Sequence, residues 1–226
     1  MSGNASSDGL FVTGTDTGVG KTFLAARIAR LLHDRRLDVG VMKPAETGCI
    51  VRQGELVPAD ARQLLAASGA SDPLHLVNPY RFREPLAPMV AAEREGRRIV
   101  PNRILSAYRR LLARHDFLLV EGAGGLLVPL SRTFSYLDLV QAMAIPVLIV
   151  ARPDLGTINH TVLTVMALHS RDIPVAGIVL NHQTRKRPGL AVRTNPSAIR
   201  RLTGLKVFEV AYGGEGLSGL LSVVGH

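Results

Sequence analysis

The 226 residues, 46% hydrophobic and 20% charged, suffice for one globular α/β domain with a full core. Residues 146–151 lie within the longest apolar run, far below the roughly 18 residues of a membrane span. A single cysteine, Cys49, excludes an internal disulfide and, together with the lack of an apolar signal core, points to a cytoplasmic protein. The net charge of +9 suits anionic partners, either nucleic acid or small molecules such as ATP. Aromatics make up only 4% of the chain, and none interleaves with the densest basic cluster, Arg185-Lys186-Arg187. That argues against a stacking platform for single strands, and no helix carries a base-reading face. Neither a nucleic acid nor a membrane is therefore expected as a partner.

Residues 1–9 are small and polar and read as a disordered lead to a domain spanning 10–226. An apolar run, Leu10-Phe11-Val12, then enters Gly14-Thr15-Asp16-Thr17-Gly18-Val19-Gly20-Lys21-Thr22, and an amphipathic run follows. Strand, glycine-rich loop and helix in that order are the context of a phosphate-binding loop. Its backbone N–H groups at a helix start can cradle an anion, Lys21 supplies a charge to the outer phosphates, and Thr22 a hydroxyl to Mg²⁺. The common loop has glycine at the position of Thr15; here the first glycine, Gly14, comes one residue earlier.

The spacing predicts a helix over 23–36 and a buried strand over 39–42, ending at Lys43-Pro44. Ligands of open α/β sheets sit at the carboxyl ends of strands, which places Lys43 and the following Thr47-Gly48 well. Residues 49–57 read as a loop, and Pro58-Ala59-Asp60 opens a helix through Ala67. Asp60 in the first turn is also what an ordinary helix dipole favours. Four prolines between 71 and 88 predict loops and short turns; residues 89–95 read as a turn or two of helix, and 102–114 as a helix.

Phe117-Leu118-Leu119-Val120 shows no alternation, as in a parallel sheet covered on both faces. It ends in Glu121-Gly122-Ala123-Gly124-Gly125, an acidic strand end of the kind that holds Mg²⁺ directly or through water in P-loop enzymes. A helix over 135–143 and a strand over 146–150 follow. Gly156 and Thr157 then place free N–H groups at the start of a helix running to His169, a second possible anion site. His160 is read as a packed or capping histidine without chemistry. A strand over 175–180 ends in Asn181-His182, a helix runs from Pro196 to Leu202, and the last strand covers 205–210. Strands and helices alternate throughout, which predicts a single-domain, doubly wound, mostly parallel sheet flanked by helices, of the P-loop NTPase type.

Four segments together resemble the dethiobiotin synthetase family: residues 14–22, Lys43-Pro44-Ala45-Glu46-Thr47-Gly48, Val120-Glu121-Gly122-Ala123-Gly124-Gly125, and Leu155-Gly156-Thr157-Ile158-Asn159-His160. Asn78-Pro79-Tyr80 and the segment from Glu84-Pro85 to Ala87-Pro88 are similar as well. The resemblance implies carboxylation and ring closure of 7,8-diaminopelargonic acid with CO₂, ATP being the co-substrate and Mg²⁺ the cofactor. It implies that Lys21, Lys43 and Thr17 act at the reacting phosphate and carbamate, with Thr47 on the substrate. It makes Thr22, Asp60 and Glu121 the Mg²⁺ ligands. Nucleotide contacts would come from Asp16, Thr17, Gly18, Val19, Gly20, Lys21, Thr22, Asp60, Glu121, Gly122, Ala123, Gly124 and Asn181, with Glu215 carried as a further contact. Residues Gly156, Thr157, Ile158 and Asn159 would bind the substrate carboxylate from a partner subunit, which implies a homodimer. The family's Gly-Glu-Ile-Pro near the last strand is here Phe208-Glu209-Val210-Ala211, and His182 replaces a frequent Asp. The alternative is a partner-switching P-loop ATPase of the partitioning type. Those proteins place a second lysine early in the loop, where this chain has Asp16.

Overall fold

The computed structural model describes residues 9–185, 189–217 and 219–220. The expected lead lies outside them except for Gly9, which instead opens the first strand and is buried there. Lys186 and Arg187 of the basic cluster also lie outside them.

In chain order the elements begin with β1 (Gly9–Gly14), α1 (Lys21–Asp34), β2 (Val39–Met42), β3 (Ala45–Glu46), β4 (Ile50–Arg52) and β5 (Glu55–Val57). Next come α2 (Ala59–Ser68), α3 (Leu74–Val77), β6 (Tyr80–Arg81), α4 (Pro88–Arg94), α5 (Pro101–Leu112) and β7 (Phe117–Glu121). The chain continues through β8 (Pro129–Ser131), β9 (Phe134–Ser135), α6 (Tyr136–Met143), β10 (Val147–Ala151), α7 (Thr157–His169), β11 (Val175–Asn181), α8 (Leu190–Thr203) and β12 (Val207–Val210).

Six strands form one sheet in the order β12-β11-β10-β1-β7-β2, and every pair is parallel. Every residue of β1, β2, β7 and β10 is buried, which is why these strands read as unbroken apolar runs. β1 is flanked by β7 on one side and β10 on the other, with Leu10 opposite Leu119 and Val12 opposite Leu148. Connections run to one side of β1 first and to the other side later, so the carboxyl end of β1 is a topological switch point, where α/β sheets bind ligands.

Helix α1 lies on β1, β2 and β7 and packs against α2. It buries Leu24, Ile28 and Leu32, spaced by four, each worth about 1.5–3 kcal/mol on burial. Helix α5 also packs on β2 and β7 and against α6, while α7 on β10 packs against α8. The start of α6 is closed by a capping box: Ser135 N–H and Oγ both donate to Asp138 Oδ2 at 2.7 Å. Those bonds, the backbone one first, hold the Asp138 carboxyl below its ordinary range.

Two expectations need correction. Residues 49–57 are a hairpin, not a loop: β4 and β5 pair antiparallel across Gln53 and Gly54, both at positive φ (52° and 82°). Two central residues at positive φ match the twist of a tight hairpin, so the turn rather than strand hydrophobicity makes this element. Pro196 does not start a helix but sits inside α8, which begins at Leu190. As a proline it withholds the N–H that would bond Val192 O, while just before it Thr194 Oγ1 donates to Leu190 O and Asn195 Nδ2 donates to Pro153 O at 2.8 Å.

Candidate active site

The loop at residues 14–20 connects β1 to α1 and is pinned at its start by Thr15 N–H donating to Val150 O of β10. It turns into the helix through Gly20, which caps α1 in the left-handed region (φ 93°). A Cβ there would also strike the Asn181 side-chain amide, so glycine is required twice over. From the end of β11, Asn181 Nδ2 donates to Val19 O at 3.0 Å, and Gln183 Nε2 donates to Gly18 O at 2.6 Å. These two side chains engage the carbonyls of Val19 and Gly18 and so fix the loop where it turns into α1. Gln183 carried no signal in the sequence, because its role depends on β11 lying two strands from β1.

Lys21 is buried and folds back so that its Nζ donates to Asp16 O at 2.9 Å. Burial, and then the positive charge of Lys43, lower its pKa from 10.5 to about 8. The Asp16 carboxylate has its own partners: Oδ1 accepts the Thr17 N–H and Oδ2 pairs with Arg152 Nη2, each at 2.7 Å.

Lys43, just beyond β2, has a side chain only 4% exposed. Its backbone is held by Asn78, whose Nδ2 donates to Lys43 O at 2.8 Å, while Lys43 N–H donates to Val77 O. Its ammonium lies 2.5 Å from Glu121 Oε1 at the end of β7 and 2.8 Å from Asp60 Oδ2 in the first turn of α2. Burial works against the charge, but the two carboxylates outweigh it and hold the Lys43 pKa above its ordinary value. Thr22 Oγ1 donates to the same Glu121 oxygen at 2.7 Å.

A cavity of about 730 Å³ opens over this cluster. Of the residues expected in the site, it brings together Thr17, Gly18, Gly20, Lys21, Thr22, Lys43, Thr47, Asp60, Glu121, Ala123 and Gly124. Val19 lies buried beneath the loop, and Gly122 N–H is engaged with Val12 O. Glu215 borders a second cavity with His182, Arg185, Glu209 and Tyr212. Gly156, Ile158 and Asn159 border an apolar groove with Leu163 and Met166, on a different surface from the main cavity, and Thr157 begins α7 beside them. Glu46 lines the main cavity although no role was expected of it. Burial lifts its carboxyl above the usual range despite two backbone N–H donors.

The chemistry of the cluster suits a hard divalent cation. Thr22, Asp60 and Glu121 offer one hydroxyl and two carboxylates. Glu121 is fully buried, and its Oε2 has no hydrogen-bond partner among the described residues. An orphaned carboxylate oxygen at that depth calls for a cation.

An anion-binding loop at the switch point of a parallel sheet, with acidic and basic groups converging below it, defines a P-loop nucleoside-triphosphate enzyme. Residues 8–210 match the family described as an AAA domain. Over 195 residues the chain is 51% identical to the ATP-dependent dethiobiotin synthetase BioD of Anaeromyxobacter dehalogenans (strain 2CP-C), which covers 86% of this chain and 85% of that protein. It is 43% identical over 202 residues to the BioD protein of Bacillus licheniformis, covering 89% and 84% respectively. A chain of the MinC:MinD cell division protein complex of Aquifex aeolicus aligns at TM-score 0.56 and 14% identity, over 96% of this chain and 85% of that one. That likeness is one of fold alone. The chain belongs to the ATP-dependent dethiobiotin synthetase family.

Proposed function

We propose that the chain closes the ureido ring of dethiobiotin in biotin biosynthesis, from 7,8-diaminopelargonic acid, CO₂ and ATP with Mg²⁺. One amine of the diamine captures CO₂ as a carbamate. The carbamate oxygen attacks the γ-phosphorus of ATP, giving a mixed carbamic-phosphoric anhydride and ADP. The second amine then attacks the carbamoyl carbon, closes the ring and expels phosphate.

In this reading the loop N–H groups and Lys21 hold the phosphates, while Thr17 hydrogen-bonds near the transferring group. Lys43 lies where carbamate and γ-phosphate oxygens must approach each other, and its fixed positive charge lowers the barrier as negative charge gathers there. Thr47 lies on the substrate side of the same cavity. Thr22, Asp60 and Glu121 would hold Mg²⁺, which when bound neutralises phosphate charge. Asn181 and Glu215 serve the nucleotide's base side. The observation that carries the reading is the buried Lys43 ammonium at the end of β2, paired with the Glu121 and Asp60 carboxylates in the cavity that the glycine-rich loop also lines.

The α7 start lies outside the main cavity, beside exposed Leu155, Leu163 and Met166. A second copy laid on this apolar face brings the α7 start, Gly156, Thr157, Ile158 and Asn159, to the substrate carboxylate across a homodimer, although the Thr157 N–H is already given to Asp154 O at 3.2 Å. Its use of ATP puts the reaction in the cytoplasm. Among the described residues no helix is long and apolar enough to cross a membrane.

The test is phosphate release from ATP and Mg²⁺, with and without the diamine and bicarbonate, with the product weighed by mass spectrometry. Diamine-dependent release with the mass of dethiobiotin is the expected result. Release indifferent to the diamine overturns the reading.

A further inference from the structure

Helix α2 begins behind Pro58, which has no side-chain oxygen to cap it. Its first-turn N–H groups would be orphan donors facing the cavity floor. They are instead taken by a residue 14 positions earlier in the chain: Asp60 N–H donates to Glu46 Oε1 at 2.9 Å and Ala61 N–H to Glu46 Oε2 at 3.0 Å. Glu46 is only 5% exposed, and it is itself fixed, since β3 pairs with β6 with Glu46 opposite Arg81. Phe82 N–H also donates to Glu46 O at 2.9 Å. Asp60, by contrast, is loosely held through its side chain. Its carboxylate is 38% exposed, and among the described residues Lys43 is its one hydrogen-bond partner.

We propose that Glu46 is a positioning residue of the phosphoryl-transfer site: as a remote cap it fixes the start of α2, and so the place of the Asp60 carboxylate toward Mg²⁺. The proposal rests on Asp60 being a Mg²⁺ ligand, as set out above. Capping by a carboxylate that takes both N–H groups at once fixes the direction of the first turn as well as its stability. A metal ligand must be held within a fraction of an ångström, and outer partners that orient ligands commonly govern 10- to 100-fold in metal affinity. Glu46 touches neither the metal nor the phosphates in this account; it acts through the backbone of Asp60.

The experiment measures Mg²⁺ affinity of the full chain with a saturating non-hydrolysable ATP analogue, and separately nucleotide affinity in EDTA. Glu46→Ala is expected to weaken Mg²⁺ at least tenfold while metal-free nucleotide affinity stays within about twofold. A local cap then restores it: in Glu46→Ala/Pro58→Ser the serine hydroxyl accepts from the Asp60 or Ala61 N–H, and most of the Mg²⁺ affinity returns. A role in packing or in bulk charge would not respond to that rescue. Glu46→Gln, which keeps the volume and one acceptor, stands in if the alanine variant does not fold, and is expected to lie between the two. Asp60→Asn is the control. Weakened Mg²⁺ binding in Asp60→Asn with wild-type affinity in Glu46→Ala overturns the proposal alone, as does failure of the Pro58→Ser rescue. Unchanged affinity in Asp60→Asn overturns the metal assignment itself, and the proposal with it.

Discussion

Lys43 and Glu121 form an ion pair at 2.5 Å in which both side chains are almost wholly removed from water, 4% and 0% exposed. A buried pair is poor evidence of stability, because desolving two charges costs about as much as their attraction returns. Its cost is sensible in a site proposed to receive Mg²⁺ and phosphate anions. Against its burial, the ammonium is kept charged by Glu121 and then by Asp60.

Lys43→Ala is therefore expected to have two effects. Turnover should fall at least 100-fold with nucleotide affinity changed only a few-fold, because the lost charge matters where the transition state gains charge. The variant should also melt lower in EDTA, since it leaves Glu121 buried without its ammonium, and it should regain more stability on adding Mg²⁺ than the wild type does. Single-turnover kinetics and thermal melts with and without Mg²⁺ read both. A near-normal kcat overturns the role assigned to Lys43.

Much of this site was legible in the chain. The runs over 10–12, 39–42 and 117–120 announce themselves as buried strands, and a candidate site residue or loop follows each carboxyl end: the glycine-rich loop, Lys43 and Glu121. What remained hidden depends on partners brought by the fold. Glu46 caps a helix that it does not precede directly, and Gln183 holds a loop 165 positions away. The hairpin at 50–57 is built by the backbone of Gln53 and Gly54 on an exposed surface, where hydrophobic pattern has little to report. Pro196 reads as a helix start because its ring suits a first turn, yet it lies inside α8, whose earlier turn from Leu190 the sequence pattern does not announce.

Lys21 should couple nucleotide binding to proton uptake. Its pKa of about 8 in the free protein means that roughly half of it is neutral at pH 8, and triphosphate oxygens favour the ammonium. Binding near pH 8 should take up about half a proton, seen as a dependence of calorimetric heat on buffer ionisation enthalpy. Between pH 8 and 10.5 the unfolded chain binds this proton more tightly than the folded one, so Lys21 makes the nucleotide-free fold more stable as pH rises through that window. Lys21→Met should abolish the uptake and weaken binding as well as turnover. Equal uptake in the variant, or none in the wild type, overturns the account.

His115 ties three segments together: Nδ1 lies 2.8 Å from Asp38 Oδ1 before β2, and Nε2 lies 2.7 Å from Asp72 Oδ2 ahead of α3. Partial burial opposes the imidazolium, but the two carboxylates outweigh it and raise its pKa above 6.5. A raised folded pKa gives stability that is complete below the unfolded value and is lost as pH climbs through the folded one. The stability difference between wild type and His115→Gln should be about 1 kcal/mol near pH 6, screening included, and should shrink toward pH 8.5. Urea unfolding across that range checks it; a difference that is flat or grows with pH refutes the ion pair.

The homodimer reading puts a demand on the apolar face beside α7. Leu163 and Met166 are 55% and 61% exposed one helical turn from each other, close to the N–H groups of the α7 start. Leu163→Asp/Met166→Asp should leave the central sheet and the ATP site intact while converting a dimer to a monomer in sedimentation velocity. The loss should fall on the substrate side: KM for the diamine should rise roughly tenfold or more, the scale of a helix-terminus contact to a carboxylate, with nucleotide affinity unchanged. A monomeric wild type would overturn the dimer. A dimer that survives both substitutions would move the interface to another face, and the substrate carboxylate would then need a partner within the chain's own cavity.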